Sequence, residues 1–498
     1  MKELGKITNS AAFPAVLTNP VNASPLPPSP QTAVPNGATA AAAASQTPLY
    51  YLGFTALLLL LFVVFSRLAE TIAVLIGANL RISMTLLLVS TAVAVVQRDA
   101  IRRLRGGAGF YLILLTGWFF LCVPTSVHKG GSVRHLTSYW ITSVLAAFCV
   151  LVYPNTTASL RRILYAITAG VLLVGFARSE SSVFTLGALG NPNLYSQHLL
   201  YGVPFLFLPL ARNGVASFKG IIAAACISLL VVKVLYTGSR ASLIAVAILG
   251  FVFFLSLPVM QKLIAVACVI PLAAAALLTM PEQAWQRYST LFSQDETIAH
   301  TEEEISAIES ANARKRHLEQ SIDLTIRNPI LGVGPGMFAV ASADYSKELG
   351  ERAYWKETHN SFTQISSESG LTGLLLYLAM LFSAILTLWK GIRLTRRAPR
   401  GSELESAGQI AVMLLFSMLA MIITGAFSSS AYLHYFPLLC AFATVTARII
   451  DDNRAPAGQR PPVLAARSPQ PGMRLRPAAA QRSLPNFGLP AAPYRRQN

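Results

Sequence analysis

Charge is scarce in this sequence: Asp, Glu, Lys and Arg make up only 12% of its 498 residues, against 53% hydrophobic. A soluble domain carries about twice that share of charge. A soluble globular chain is therefore excluded, and a mean hydropathy of +0.52 makes the bilayer the solvent. Acidic residues are scarcer still, 22 against 40 Lys and Arg, for a formal charge of +18. That excess does not point to nucleic acid, because the basic residues sit in short loops between apolar runs and in the C-terminal tail, the distribution that orients membrane proteins. Cysteine is rare too: Cys122, Cys149, Cys226, Cys268 and Cys440 lie in or at the edge of apolar runs without paired spacing, which excludes a disulfide framework. No Cys/His cluster has metal spacing, and no loop carries an Asp-x-Asp pair of the kind that holds a divalent cation for nucleotide-sugar chemistry. Gly332-Val333-Gly334-Pro335-Gly336 is not a nucleotide-binding loop, since no strand precedes it and no Lys-Ser/Thr follows. Neither a metal nor a cofactor is expected.

What is present is a long series of apolar runs. Residues 1–49, rich in Pro, Ala, Ser, Thr and Asn and without helical or strand period, read as a disordered segment and not as a cleaved signal peptide. From Tyr50 onward, apolar runs recur near 50–65, 80–97, 109–124, 137–153, 163–177, 196–211, 219–237, 241–258, 262–280, 361–389, 409–427 and 431–449. The fold class is all-α: a polytopic integral membrane protein of about twelve transmembrane helices, several shorter than the ~20 residues a straight span needs. One long polar loop, 281–358, interrupts the transmembrane domain 50–450, and 451–498 reads as a disordered basic tail lying on anionic lipid. With twelve spans, the basic clusters at 98–105, 161–162, 212–219, 262 and 390–400 and beyond Arg448 all fall on one side, the cytoplasm. Both termini are then cytoplasmic, and the loop 281–358 faces outward.

Three features on that outer side carry chemistry. In Thr237-Gly238-Ser239-Arg240-Ala241-Ser242 an arginine is wedged between two apolar runs. It reads either as a snorkelling interfacial anchor or as a fixed cation whose planar fork suits a pyrophosphate. In the long loop, the basic turn Arg314-Lys315-Arg316-His317 is followed by Leu318, Ile322 and Ile326 at helical spacing, which predicts an amphipathic helix from near Ser310 to Pro329 along the membrane surface. The third feature is Thr358-His359-Asn360-Ser361, where the loop runs into an apolar helix. His359 is either a functional imidazole at the mouth of a span or a solvated residue beside a helix cap formed by Asn360 or Ser361. In a regular helix Asn360, Gln364, Ser367 and Leu371 share a face and Glu368 points elsewhere, so Glu368 reads as an intramembrane acid that pairs with an arginine or caps a neighbouring helix.

Taken in order, these residues resemble the O-antigen ligase and O-antigen polymerase superfamily of polytopic glycosyltransferases. The resemblance rests on Gly190-Asn191-Pro192-Asn193 before a span, Gly238-Ser239-Arg240, a loop arginine with leucine at the fourth position (Arg314 and Leu318) before Asn328-Pro329-Ile330-Leu331-Gly332-Val333-Gly334, and His359-Asn360 with Gly370-x-x-Gly373. It leaves out residues 1–49 and about 452–498. It implies transfer of an oligo- or polysaccharide from an undecaprenyl-pyrophosphate carrier to a hydroxyl acceptor, lipid A-core in the ligase branch, at the periplasmic face of the bacterial inner membrane without a metal. Arg240 with Arg314 or Arg316 would neutralise the pyrophosphate, His359 would act as general base, and Asn360, Glu368 and Asn193 would support them. A polymerase or a protein O-oligosaccharyltransferase would share the donor and differ in the acceptor. A polysaccharide or solute transporter is the rival of another class, but residues 50–258 and 262–449 show no repeat and the titratable groups gather on one face.

Overall fold

The computed structural model describes residues 48–97, 100, 103, 106–177, 187–214, 217–256, 259–289, 302–350 and 355–454. The N-terminal segment 1–47, the tail from 455 and Arg98, Arg102 and Arg105 of the first basic cluster lie outside the described residues. Within them the chain is all-helical and has no strand.

The helices, in order, are α1 (Pro48–Ser66), α2 (Leu68–Ile76), α3 (Ile82–Val96), α4 (Ala108–Cys122), α5 (Lys129–His135), a π turn (Leu136–Trp140), α6 (Ile141–Val152) and α7 (Thr157–Ala177). Then come α8 (Pro192–Gly202), a 3-10 turn (Val203–Leu206), α9 (Phe207–Asn213), α10 (Phe218–Leu235), α11 (Arg240–Ser256), α12 (Val259–Leu278) and α13 (Glu282–Ser289). The chain continues with α14 (Glu302–Arg327), α15 (Phe338–Glu348), α16 (Ser361–Thr395), α17 (Glu403–Gly425) and α18 (Tyr435–Arg454). Among the described residues every apolar run of the sequence overlaps helix. Six segments among the described residues are long and apolar enough to cross a membrane: α1, Lys129–Val152, α7, α10, α16 and α17. α3, α4, α11 and part of α12 are shorter apolar helices, and the run 196–211 is split by the turn around Pro204.

α18 is the centre of the bundle. It packs on α16, α17, α6 and α4, and one face after another from Tyr435 to Ile450 is buried. Close backbone approach does much of the joining, as is usual where lipid removes the hydrophobic drive between helices. At Gly170 of α7 a Cβ would meet backbone atoms of Phe62, Phe65 and Ser66, so α1 and α7 touch main chain to main chain there.

Two departures from the sequence reading shape the site. α14 begins at Glu302, not near Ser310, and Arg314 therefore lies mid-helix instead of in a first turn. α16 is broken at Gly370 (φ 73°, ψ 178°), so Leu371 does not continue the face of Asn360, Gln364 and Ser367. The break leaves the carbonyls of Ser367, Glu368 and Ser369 without helical donors, which a membrane interior does not tolerate. Val333 N–H donates to Ser367 O (2.9 Å), Gly334 N–H to Glu368 O (2.9 Å) and Trp118 Nε1–H to Ser369 O (2.8 Å). In return Leu371 N–H donates to Pro329 O at 2.8 Å. The glycine-rich turn is thus a clasp on the broken helix. A side chain at Gly332 would collide with the backbone of Glu368 and one at Gly370 with Ile330 O, and both residues have left-handed φ, which only glycine adopts without strain.

Candidate active site

Four chain segments converge where α16 begins. His359 precedes the helix with φ 55°, a left-handed conformation that histidine tolerates at some cost. Its N–H donates to Ser429 Oγ at 2.9 Å, and Thr358 Oγ1 lies 3.2 Å from the same hydroxyl. Ser429 belongs to the α17–α18 turn, whose neighbours Ser428 and Ser430 are fixed in turn: Ser361 Oγ donates to Ser428 O (2.7 Å) and Ser430 N–H to Ser361 Oγ (3.0 Å). Asn360 caps α16, its Oδ1 accepting from Phe362 N–H (2.9 Å) and Thr363 N–H (3.2 Å). Of the two possible caps, Asn360 serves. The strained backbone of His359 is therefore held from both sides, which fixes its half-buried ring.

The imidazole faces α14. Its centroid is 6.2 Å from that of His317, a buried residue whose Nδ1 has no hydrogen-bond partner among the described residues. Burial, then the charge of Arg314, then His317 and Lys356, push His359 from the ordinary 6.5 down to about 4. The ring is neutral near pH 7 and can accept a proton. Burial lowers His317 as well, with Lys356 and Arg316 adding to it against a side-chain hydrogen bond with Gln320 that raises it.

On α14 the two loop arginines stand differently toward the histidine. Its buried stripe runs through His317, Gln320, Ser321, Leu324 and Thr325. By helix phase Arg314 falls in line with that stripe, between Ser321 and Thr325, and Arg316, about 200° further round, falls off it. Desolvation, then the like charges of Arg240 and Arg287, lower the guanidinium of Arg314, which stays protonated at neutral pH. The charge of Arg314 reaches His359 and meets that of Arg240, whereas the charge of Arg316 reaches His317. Arg240 opens α11, and its Nε–H donates to the carbonyl of Arg287 at 3.3 Å.

Asn193 sits behind Arg240. Asn191 caps α8, and the buried Asn193 that follows accepts from Ser239 Oγ at 2.8 Å through Oδ1 while its Nδ2 reaches Phe427 O at 3.5 Å. It ties α8, the turn before Arg240 and the end of α17 together. Glu368 lies elsewhere: fully buried below the clasp, it accepts from Gly336 N–H (2.7 Å) and Phe338 N–H (3.2 Å), and so caps α15. No ion pair of Glu368 with an arginine occurs among the described residues.

Residues 224–378 match the family model described as O-antigen ligase. The match supports the O-antigen ligase superfamily. The matched segment runs from mid-α10 to just past the break in α16. It takes in Arg240, Arg314, His359, Glu368 and the glycine-rich clasp and leaves Asn193 and Ser429 outside. No curated protein matches the chain. The match supports an O-antigen ligase- or polymerase-like membrane glycosyltransferase in general terms, in a multi-pass membrane protein.

Arg287 and Ser429 escape a reading of the sequence. Arg287 lies on a two-turn polar helix with no apolar period to flag it. Ser429 acts on a residue 70 positions away, through space.

Proposed function

We propose that the protein transfers an oligo- or polysaccharide from undecaprenyl pyrophosphate to a hydroxyl acceptor, lipid A-core in the first instance, at the periplasmic face of the inner membrane. The observation that carries this reading is the meeting of Arg240, Arg314 and a neutral His359, brought from α11, α14 and the entry of α16 to one place. The proposed topology is twelve spans with both termini cytoplasmic and the segment 281–358 outside, as the basic clusters demand.

In the proposed reaction the donor's pyrophosphate lies against Arg240 and Arg314, which take up the charge that grows on it as the anomeric C–O bond breaks. The acceptor oxygen attacks the anomeric carbon from the opposite side, its proton passes to an imidazole nitrogen of His359, and the electron pair of the broken bond leaves with the pyrophosphate. The arginines supply fixed positive charge where the chemistry needs it. His359 is a weak base while Arg314 is unneutralised, and it strengthens once the anionic donor screens that arginine, so proton acceptance is coupled to donor binding.

The test is complementation of a host lacking its own ligase, with wild type, His359→Ala and Arg240→Ala, reading surface and carrier-linked glycan on gels. Wild type restoring glycan on lipid A-core, while both variants are expressed and leave it on the carrier, supports the proposal. Longer carrier-linked chains would make the protein a polymerase, and glycan on protein would make it an oligosaccharyltransferase. Variants that behave like wild type would remove His359 and Arg240 from the mechanism.

A further inference from the structure

Arg287 sits in the last turn of α13, a helix seated on the turn between α10 and α11. The seating is close: a Cβ at Gly238 would lie 2.8 Å from Arg287 Cδ and 3.2 Å from Ala284 Cα, and Gly238 has φ 63°. Tyr288 Oη–H, one residue on, donates to Leu235 O at 2.8 Å and pins α13 to the end of α10. Arg287 therefore contributes twice at this point. Its carbonyl accepts from Arg240 Nε–H and so sets the direction of that guanidinium (3.3 Å). Its own guanidinium lies on an exposed residue, and its charge reaches both Arg240 and Arg314.

Three guanidinium groups from three elements repel one another, and an anion entering among them relieves that repulsion. A phosphate monoester is matched by two such forks. A diphosphate, with two phosphoryl groups and up to three negative charges, has oxygens for a third. Resting on the donor reading above, we propose that Arg287 is a third pyrophosphate-binding cation, and that its backbone carbonyl positions Arg240. The site then selects a prenyl diphosphate over a prenyl monophosphate. Lysine at 287 would keep the charge and lose the fork.

The experiment measures binding of farnesyl diphosphate and farnesyl monophosphate to the purified full-length protein in nanodiscs, alongside thermal stability, for wild type, Arg287→Ala, Arg287→Lys and Arg314→Ala. Arg287→Ala keeps the carbonyl that orients Arg240, so its effect reports on the side chain. It should weaken the diphosphate by about tenfold or more and the monophosphate much less, with unchanged melting temperature, the loss being that of one charge-assisted contact. Arg287→Lys should recover part of the difference. Diphosphate binding equal to wild type in Arg287→Ala, with Arg314→Ala still impaired, overturns this inference alone; so does an equal loss of both ligands with a lowered melting temperature. Wild type that does not bind the diphosphate, or Arg314→Ala that binds it as wild type does, overturns the pyrophosphate reading and the inference with it.

Discussion

Replacing Arg314 with glutamine tests whether the cation beside His359 sets its basicity. The fall of His359 from 6.5 to about 4 favours the neutral ring by roughly 3 kcal/mol, with burial the larger cause and Arg314 the next. One neighbouring unit charge typically moves a pKa by about one or more. Arg314→Gln should therefore raise the imidazole from about 4 to about 5 or above. The assay is glycan transfer in proteoliposomes, with kcat/KM followed from about pH 4 to 8, because that parameter reports the free enzyme. Wild type should hold its relative rate almost to the acid end of the range, while the variant begins to fall near about pH 5. The variant should also be slower throughout, by about a hundredfold, for want of one fixed charge at the leaving group. The reasoning is refuted if the acid limbs of variant and wild type coincide, or if His359→Gln retains the limb. The same shift bears on stability. The unfolded imidazole takes up its proton near 6.5 and the folded one near 4, so the protein loses up to roughly 3 kcal/mol as pH falls through that window and nothing above it.

Arg316→Ala should leave transfer within about twofold of wild type while Arg314→Ala loses a hundredfold or so, measured in the same proteoliposomes. Ser429→Ala removes the acceptor of His359 N–H and frees a strained backbone, so kcat should drop by about tenfold with the donor KM little changed. Glu368→Gln replaces one of the two acceptor oxygens that meet Gly336 and Phe338 N–H by a donor and should cost about 1–3 kcal/mol, read as a lower melting temperature in detergent. Gly370→Ala places a methyl group against Ile330 O at a left-handed φ, and should abolish the monodisperse peak in size-exclusion chromatography.

The helices were legible because apolar runs must be helical in lipid, and each run from 50–65 to 431–449 overlaps helix, the run 196–211 two helices with a turn between them. Arg240 and His359 stood out because charge at the mouth of an apolar run is costly and therefore conspicuous, whereas the loop arginine was left open between Arg314 and Arg316. Interruptions were harder to see. Gly370 sits among helix-compatible neighbours, and only the arrival of Val333 and Gly334 reveals that its helix is broken. The acid at 368 left two partners open in the sequence, and the donors it meets are backbone groups 30 and 32 residues upstream, which no side-chain pattern announces. Helix phase separates Arg314 from Arg316, but the phase is useful only once the buried stripe of α14 is known. Arg287 was hidden because its role depends on which turn its short helix leans against.

The clasp at Gly370 also bears on the order in which the protein can be assembled. Beyond the break, Leu371–Thr395 is about 37 Å of helix, enough to cross a bilayer unaided. The half-helix before it, Ser361–Ser369, is rich in hydroxyl and amide groups and ends in three carbonyls that nothing in α16 can satisfy. Their donors, Val333, Gly334 and Trp118, all precede it in the chain. The second half of α16 can therefore insert as it emerges. The first half becomes stable only after the segment carrying Val333 has folded back onto it. The entry of α16 is thereby completed only by that docking, and a chain stalled before it would keep a membrane-crossing second half and lack the clasp beneath His359.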